Sequence, residues 1–575
     1  MSKRKVIIIC RSRHPTVGIR KTSVHGLLTW GSHLKHKYLP QRLSQNSNPR
    51  SIKTRIENNV TRPEWIGKHR FGVFDLLNYV NNGYRYVYDP ASNPVFFDPI
   101  SIPSITSLYL YDYLLKRGYE PVNIDNIDGN RGQLREALKD RPSAVMISAT
   151  FLSAQQIGKI IAFVRQIGTE VPIIVGGSFL LTRLNSERRL IPEYERILTK
   201  NVYMILEEHG LDKADVLLQR LHGKRSIEDL PNIVHVENHS VRYNEMRIIE
   251  HDINATFPQW KNLVGLTKNV AFVRTSQGCA FNCKFCSFPG AVAGFRQRSI
   301  ESIREELKQI HEIGIRYLAF TDDHFAINQK RVKEICNMLL DEGFDFTWFA
   351  GIRASSITEE NAELLARAGC RVLCVGLESG DDRILRLMNK RTSASGNMRC
   401  LEILDRHSIV AYGSFIIGFP GETEESVEAT IRWINNSPLK LYKVFLFYLL
   451  PGSAIYDEQD VHSITFFGGE CDYCLWRTPT LDALRVSEMV KEFILRVENA
   501  ALIYSYSPMY AFFPFLLKGY SIEESLKFLQ LHTKLIKTEL SKAPLLKARS
   551  RAATLRQIQT LLKHNWVDCD NMSKM

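Results

Sequence analysis

Three cysteines fall within eight residues, Cys279, Cys283 and Cys286, in the spacing C-x3-C-x2-C of SQGCAFNCKFCSFPG at residues 276–290. A tetrahedral zinc site takes four ligands, commonly from two separated pairs, and no fourth Cys or His lies close by in the sequence. Three thiolates are instead what a four-iron, four-sulfur cluster needs when one iron must stay open. That iron can be chelated by a small molecule carrying an amino and a carboxylate group. S-adenosylmethionine (SAM) is such a molecule, and an electron passed into its sulfonium breaks a carbon–sulfur bond and releases a 5′-deoxyadenosyl radical. Gly278 suits a sharp exit into such a loop, where a side chain would crowd it.

The elements that must position these thiols can be read on both sides of them. Strands are expected at 271–275, 316–321, 346–350, 371–377, 410–417 and 441–449, and helices such as 300–313, 330–342 and 359–368 lie between them. Six such units make a partial (β/α)6 barrel, whose chemistry belongs at the C-terminal ends of its strands, and the cysteines follow the first strand directly. Ahead of it, apolar runs at 6–10, 122–124, 144–149, 172–175 and 202–206 alternate with amphipathic stretches at 107–117, 132–139 and 153–166. That is the rhythm of a doubly wound, Rossmann-like α/β domain. The expected organisation is residues 1–206 for this domain with a basic insertion at 11–100, a connector with a small hairpin at 207–265, the barrel at 266–455, and a helical C-terminal region at 456–575.

The segment C-x3-C-x-F-C, with Phe285 as its aromatic, resembles the radical SAM superfamily. The resemblance covers about residues 265–455 and implies further SAM contacts. Thr321 to Asn328 follow the second strand, where Asp322 would accept from the SAM ammonium; the family's two glycines and glutamate are absent there, and an Asx-type turn capping the next helix would use the same residues. Gly376-Leu377-Glu378-Ser379-Gly380 resembles the family's GLESG segment, with Glu378 placed to accept from ribose hydroxyls; a surface glutamate beside a glycine turn is the other reading. Ile416 to Thr423 resembles the GFPGET signature, in which Ile416 and Gly418 would let adenine lie flat against backbone, although core packing explains Ile416 equally well.

A doubly wound domain ahead of this barrel resembles the cobalamin-dependent branch of the superfamily. Ser148, Thr150 and Ser153 after the third strand, and Gly176 and Gly177 after the fourth, would let a wide flat ring or its nucleotide tail approach the backbone. The D-x-H-x-x-G segment of many cobalamin proteins is missing; residues 12–18 read SRHPTVG, so His14 is read as a loop histidine.

Eleven cysteines scattered through a 575-residue chain suit a reducing cytoplasm better than a disulfide framework, and the apolar run before Arg11 is too short for a signal peptide. Residues 499–517 carry no charge, but Pro508 and Pro514 predict a buried helix, a break and a helix rather than a membrane span. Of the net charge of +14, residues 11–70 hold 13 Lys and Arg against Glu57 and Glu64, which implies an anionic neighbour or a solvated surface. No aromatic platform favours nucleic acid. Cys471-x2-Cys474 with His462 lacks a clear fourth ligand and is read as free thiols.

Together these imply a cobalamin-dependent radical SAM enzyme holding a [4Fe-4S] cluster, SAM and cobalamin. The expected reaction is methyl transfer to an unactivated carbon or phosphorus centre of a small, acidic metabolite, through the deoxyadenosyl radical and methylcobalamin, with a flavodoxin- or ferredoxin-type electron donor. The runner-up keeps both cofactors but forms or rearranges a ring without net methyl transfer. A tRNA methylthiotransferase would carry three cysteines in its first domain, where this chain has only Cys10. A non-catalytic cobalamin or light sensor is opposed by the intact cysteine trio.

Overall fold

The computed structural model describes residues 4–10, 64–66, 69–71 and 104–563, except 125–126, 128–129, 168–169, 185–186, 208–209, 250, 256, 268, 289–293, 468–472, 504–507 and 541–543. His14, most of the basic insertion and Cys471 therefore lie outside the described residues. The first domain is built on β1 (Arg4–Ile9), β2 (Tyr119–Ile124), β3 (Ala144–Ser148), β4 (Ile173–Gly176) and β5 (Val202–Ile205). The runs of β1, β3 and β4 are rich in Val and Ile and buried on both faces, as central parallel strands covered by helices must be, whereas the edge strand β2 is more polar. The strand order is β2-β1-β3-β4-β5, so the chain reverses direction across the sheet between β1 and β3.

Two departures from expectation concern the connector. Residues 211–222 form a helix, and β6 (Ile233–Glu237) and β7 (Ser240–Tyr243) extend the first sheet antiparallel to β5, so this sheet runs past residue 206. The hairpin is held because Ile233 and Val234 are fully buried against that sheet. The remaining link is anchored at both ends. Asp112 of the first domain accepts from Gln259 N at 3.0 Å and from Asn262 Nδ2 at 2.8 Å. The indole of Trp260, fully buried, donates to Glu306 of the first barrel helix at 3.1 Å.

The barrel follows as β8 (Val270–Val273), β9 (Tyr317–Phe320), β10 (Thr347–Arg353), β11 (Cys370–Glu378), β12 (Val410–Ile417) and β13 (Leu441–Leu446), all parallel, with a two-residue β14 (Ala501–Leu502) at the far edge. Its helices start on side-chain caps: Ser299, Asn328, Thr358, Ser393 and Thr423 each accept from a backbone N–H of the first turn.

Register stacks the lumen-facing side chains in layers. Phe349, Val372 and Val410 form the lowest. Gly351, Cys374, Tyr412 and Leu441 lie above them, and Arg353, Gly376, Ser414 and Lys443 above those. The bottom is closed by the helix Pro508–Leu516, whose Phe513 stacks on Phe349 with ring centroids 4.8 Å apart. Here the expected break at Pro514 does not occur. Pro508 occupies the first helical position, which needs no N–H, but Pro514 sits inside the helix, where fully buried Phe512, Phe513 and Phe515 offset its lost hydrogen bond. Among the described residues no helix is long and apolar enough to cross a membrane.

Candidate active site

The cysteine loop leaves β8 at the barrel mouth, and each of its attachments has a sequence cause. Gly278 holds φ +84, and a Cβ on it would overlap the carbonyl of Gly294, so only glycine makes the exit. Met388 O accepts from Lys284 N at 3.0 Å, Asn282 O accepts from Asn389 Nδ2 at 2.8 Å, and Lys284 Nζ pairs with Glu458 at 2.6 Å. Cys283 is buried, whereas Cys279 and Cys286 are partly open.

Electrostatically the three thiols act as one group. Burial, with smaller contributions from Cys283 and Cys279, pushes Cys286 up to about 11. Cys279 is raised first by burial, with the Arg353 guanidinium pulling the other way. Arg353 Nη1 donates to Cys283 Sγ at 3.0 Å, and its guanidinium lies 3.9 Å from the ring centre of Phe281, between the first two cysteines in sequence. No three His, Cys, Asp or Glu side chains among the described residues converge as ligands of one ion would. A four-iron cluster does not ask that of them, because each of its irons takes its own thiolate. Three neighbouring thiols, one buried and two half-buried, beside a cation suit that group.

Asp322 is buried, with one oxygen turned to the loop and Oδ2 without a hydrogen-bond partner among the described residues. Its Oδ1 accepts from Thr275 N and Oγ1, both at 3.0 Å, from Ser276 Oγ at 2.7 Å and from Ser276 N. This carboxylate therefore pins the strand that precedes Cys279. Its neighbour Asp323 is the exposed one, accepting from Gly278 N at 2.9 Å. Surrounding protein raises it to about 6, offset in part by Arg274. His324, behind it, is kept neutral by burial and by Arg353 and Lys390, which lower it to about 4.

Glu378 ends β11 on a bulge, in the left-handed region at φ +62, and its Oε1 pairs with Lys390 Nζ at 2.8 Å with both side chains buried. Gly376 makes room for that pair: a Cβ there would lie 2.7 Å from both Glu378 Oε1 and Lys390 Nζ. Lys390 Nζ also lies 5.8 Å from the Phe285 ring, which packs half-buried against the barrel core. Ile416 is half-buried on the lumen side. Gly418 holds φ +98, and a Cβ on it would meet Trp476 and Val486 at 2.8 Å, so packing against the post-barrel segment also requires glycine here. Its N–H donates to Glu422, fully buried and raised to about 8 by that burial.

At the first domain, Ser148 and Gly176 end adjacent strands in register. Ser148 Oγ donates to Thr150 Oγ1 at 3.1 Å. Gly177 has φ +114, and a Cβ on it would stand 3.0 Å from Thr150 Oγ1; a Cβ on Gly176 would meet nothing within 4 Å. This edge thus combines hydroxyls, bare backbone and open space at the C-terminal ends of β3 and β4, beside the switch point of a doubly wound sheet. Ser153 is spent differently, in a capping box with Gln156 that starts the helix Ala154–Gln166.

The segment after the barrel reaches the first domain. Tyr473, in the segment leaving β13, packs in the first-domain core with Leu180 and Leu181, which follow β4, and Arg183 lies 5.8 Å from its ring. His462, by contrast, pairs with Glu458 at 3.0 Å. Sequence reasoning missed Arg353, Asp323, Lys390 and Lys443, a buried lumen lysine lowered by desolvation to about 8. The signal was available for Arg353 alone, as a charge closing an apolar barrel strand.

Fold and thiol loop are those of a radical SAM domain. Residues 273–434 match the family model described as the Radical SAM superfamily, so this part of the chain is similar to the catalytic domain of that superfamily. Over 325 residues it is 28% identical to an uncharacterized methyltransferase of Pyrococcus horikoshii, covering 55% of this chain and 69% of that protein. Over 193 residues it is 29% identical to the bacteriochlorophyllide d C-12(1)-methyltransferase of Chlorobaculum tepidum, covering 32% of this chain and 42% of that one, less than half the relative's length. The fold matches the structure of the radical SAM methyltransferase TsrM from Kitasatospora setae, solved with cobalamin and a [4Fe-4S] cluster, at a TM-score of 0.56 and 15% identity over 80% of this chain and 97% of that one.

Proposed function

We propose that this chain is a cobalamin-dependent radical SAM methyltransferase acting on a small molecule. The observation that carries the reading is a barrel mouth with three thiols in one chain with a doubly wound sheet that ends in glycines and hydroxyls at β3 and β4, the two in contact through Tyr473. When bound, the cluster and SAM supply a 5′-deoxyadenosyl radical, and cobalamin supplies a methyl carrier.

Cys279, Cys283 and Cys286 hold the cluster. Asp322 fixes the loop that presents them, so the SAM ammonium falls to Asp323, the exposed carboxylate. Lys390 commits one oxygen of Glu378, leaving the second for the ribose hydroxyls, while Phe285, Ile416 and the Gly418 backbone border the adenosine. Ser148, Thr150, Gly176 and Gly177 border the corrin, and Ser153 supports them by starting the helix behind. Substrate lies between the edges. The 13 Lys and Arg of residues 11–70 favour an anionic one, and a flavodoxin- or ferredoxin-type protein supplies electrons.

The test uses full-length protein prepared anaerobically with cobalamin and given SAM labelled in its methyl group, a low-potential reductant and a small-molecule extract. The expected result is release of 5′-deoxyadenosine together with label in a new low-mass product. A rearranged product without label would overturn the methylation reading.

A further inference from the structure

The cysteine loop is held from one side by a residue that no motif marks. Arg353 closes β10 in the top lumen layer and is only 7% exposed. Its Nη1–H points at Cys283 Sγ, 3.0 Å away, and its Nη2–H donates to the carbonyl of Lys390. Its planar face covers Phe281 at 3.9 Å. Nε–H, also buried, has no hydrogen-bond partner among the described residues. A guanidinium placed so deep, with one donor unsatisfied, is costly, and the two groups it does meet are a cysteine of the trio and the residue paired with Glu378.

Apart from its three thiols, the loop offers this cation no negative charge. We infer that Arg353 is a positioning residue for the iron–sulfur group, orienting Cys283 and setting the cluster's reduction potential. The inference rests on the cluster assignment above. Reduction adds one electron to a group already ligated by thiolates. An N–H bond to one of their sulfurs and a nearby positive charge favour the more negative, reduced form. Lys390 cannot take over that role, because its ammonium is spent on Glu378.

The test is a reductive titration of anaerobic, full-length protein with dithionite, followed by paramagnetic resonance, comparing wild type with Arg353→Met and Arg353→Lys. Iron and sulfide content and circular dichroism are measured on the same samples. In Arg353→Met the cluster is expected to be harder to reduce by about tenfold, equivalent to about 59 mV for one electron, and in Arg353→Lys by less. A folded variant that loses iron while wild type keeps it also supports the orienting role. An unshifted potential in either variant that keeps its cluster overturns the inference and leaves the cluster assignment standing. Wild-type protein without iron and sulfide overturns the cluster assignment itself.

Discussion

The barrel mouth and the edge of the first sheet are both made of strand ends, yet they are built from opposite materials. The mouth carries charge that is buried and paired: Lys390 with Glu378, Arg353 against Cys283, Asp322 holding the turn before Cys279. The first sheet offers small hydroxyls and bare backbone, with Gly176 beside open space. The difference teaches what each partner demands. A compact, charged group must be met by fixed charges, whose desolvation is tolerable only in pairs. A broad ring needs room and a few hydrogen bonds.

The sharpest way to break the comparison is to remove one side alone. Cys283→Ala is expected to abolish iron and sulfide content while cobalamin retention, read from absorbance after gel filtration, stays at the wild-type level. Loss of both would mean that the edges are not separable. Next in size is Lys390→Met, which strands a buried carboxylate; urea unfolding should show a loss of about 3–5 kcal/mol.

Glu422 sharpens the picture of the mouth's apolar flank. Burial raises its carboxyl from the model-peptide value of 4.5 to about 8, so the folded chain keeps a proton that the unfolded chain releases between those values. Its contribution to stability therefore falls as pH rises through that window and levels off above it. Glu422→Gln should gain on wild type by about 2–3 kcal/mol between pH 5 and pH 7 in denaturant midpoints, and a gap constant with pH would refute the assignment. The smallest effect is expected at Gly177, where Ala meets a positive φ and the Thr150 hydroxyl. Cobalamin retention should weaken about tenfold with iron content unchanged.

These contrasts also explain what was legible in the sequence. Fully buried strands such as residues 6–9 announce themselves as apolar runs, and C-x3-C-x2-C announces its chemistry through spacing within one loop. Arg353 and Lys390 do not, because parallel register and a bulge at Glu378 bring them to the cysteines from 70 or more residues away. Asp322 and Asp323 are adjacent in sequence, and only the turn of the backbone decides which of them is buried and which exposed. Gly418 reads as a cofactor glycine, and its second reason, the packing of Trp476 from a segment outside the motif, is invisible in the sequence. The hairpin after β5 was visible as a hairpin, but sheet membership depends on pairing across 28 residues or more.

The most direct measurement is SAM cleavage by dithionite-reduced, anaerobic protein, wild type beside a variant with Cys279, Cys283 and Cys286 all changed to Ala. The account predicts 5′-deoxyadenosine from the wild type only, in samples whose iron and sulfide differ accordingly. Equal cleavage by both proteins, or none by an iron-replete wild type, would contradict it.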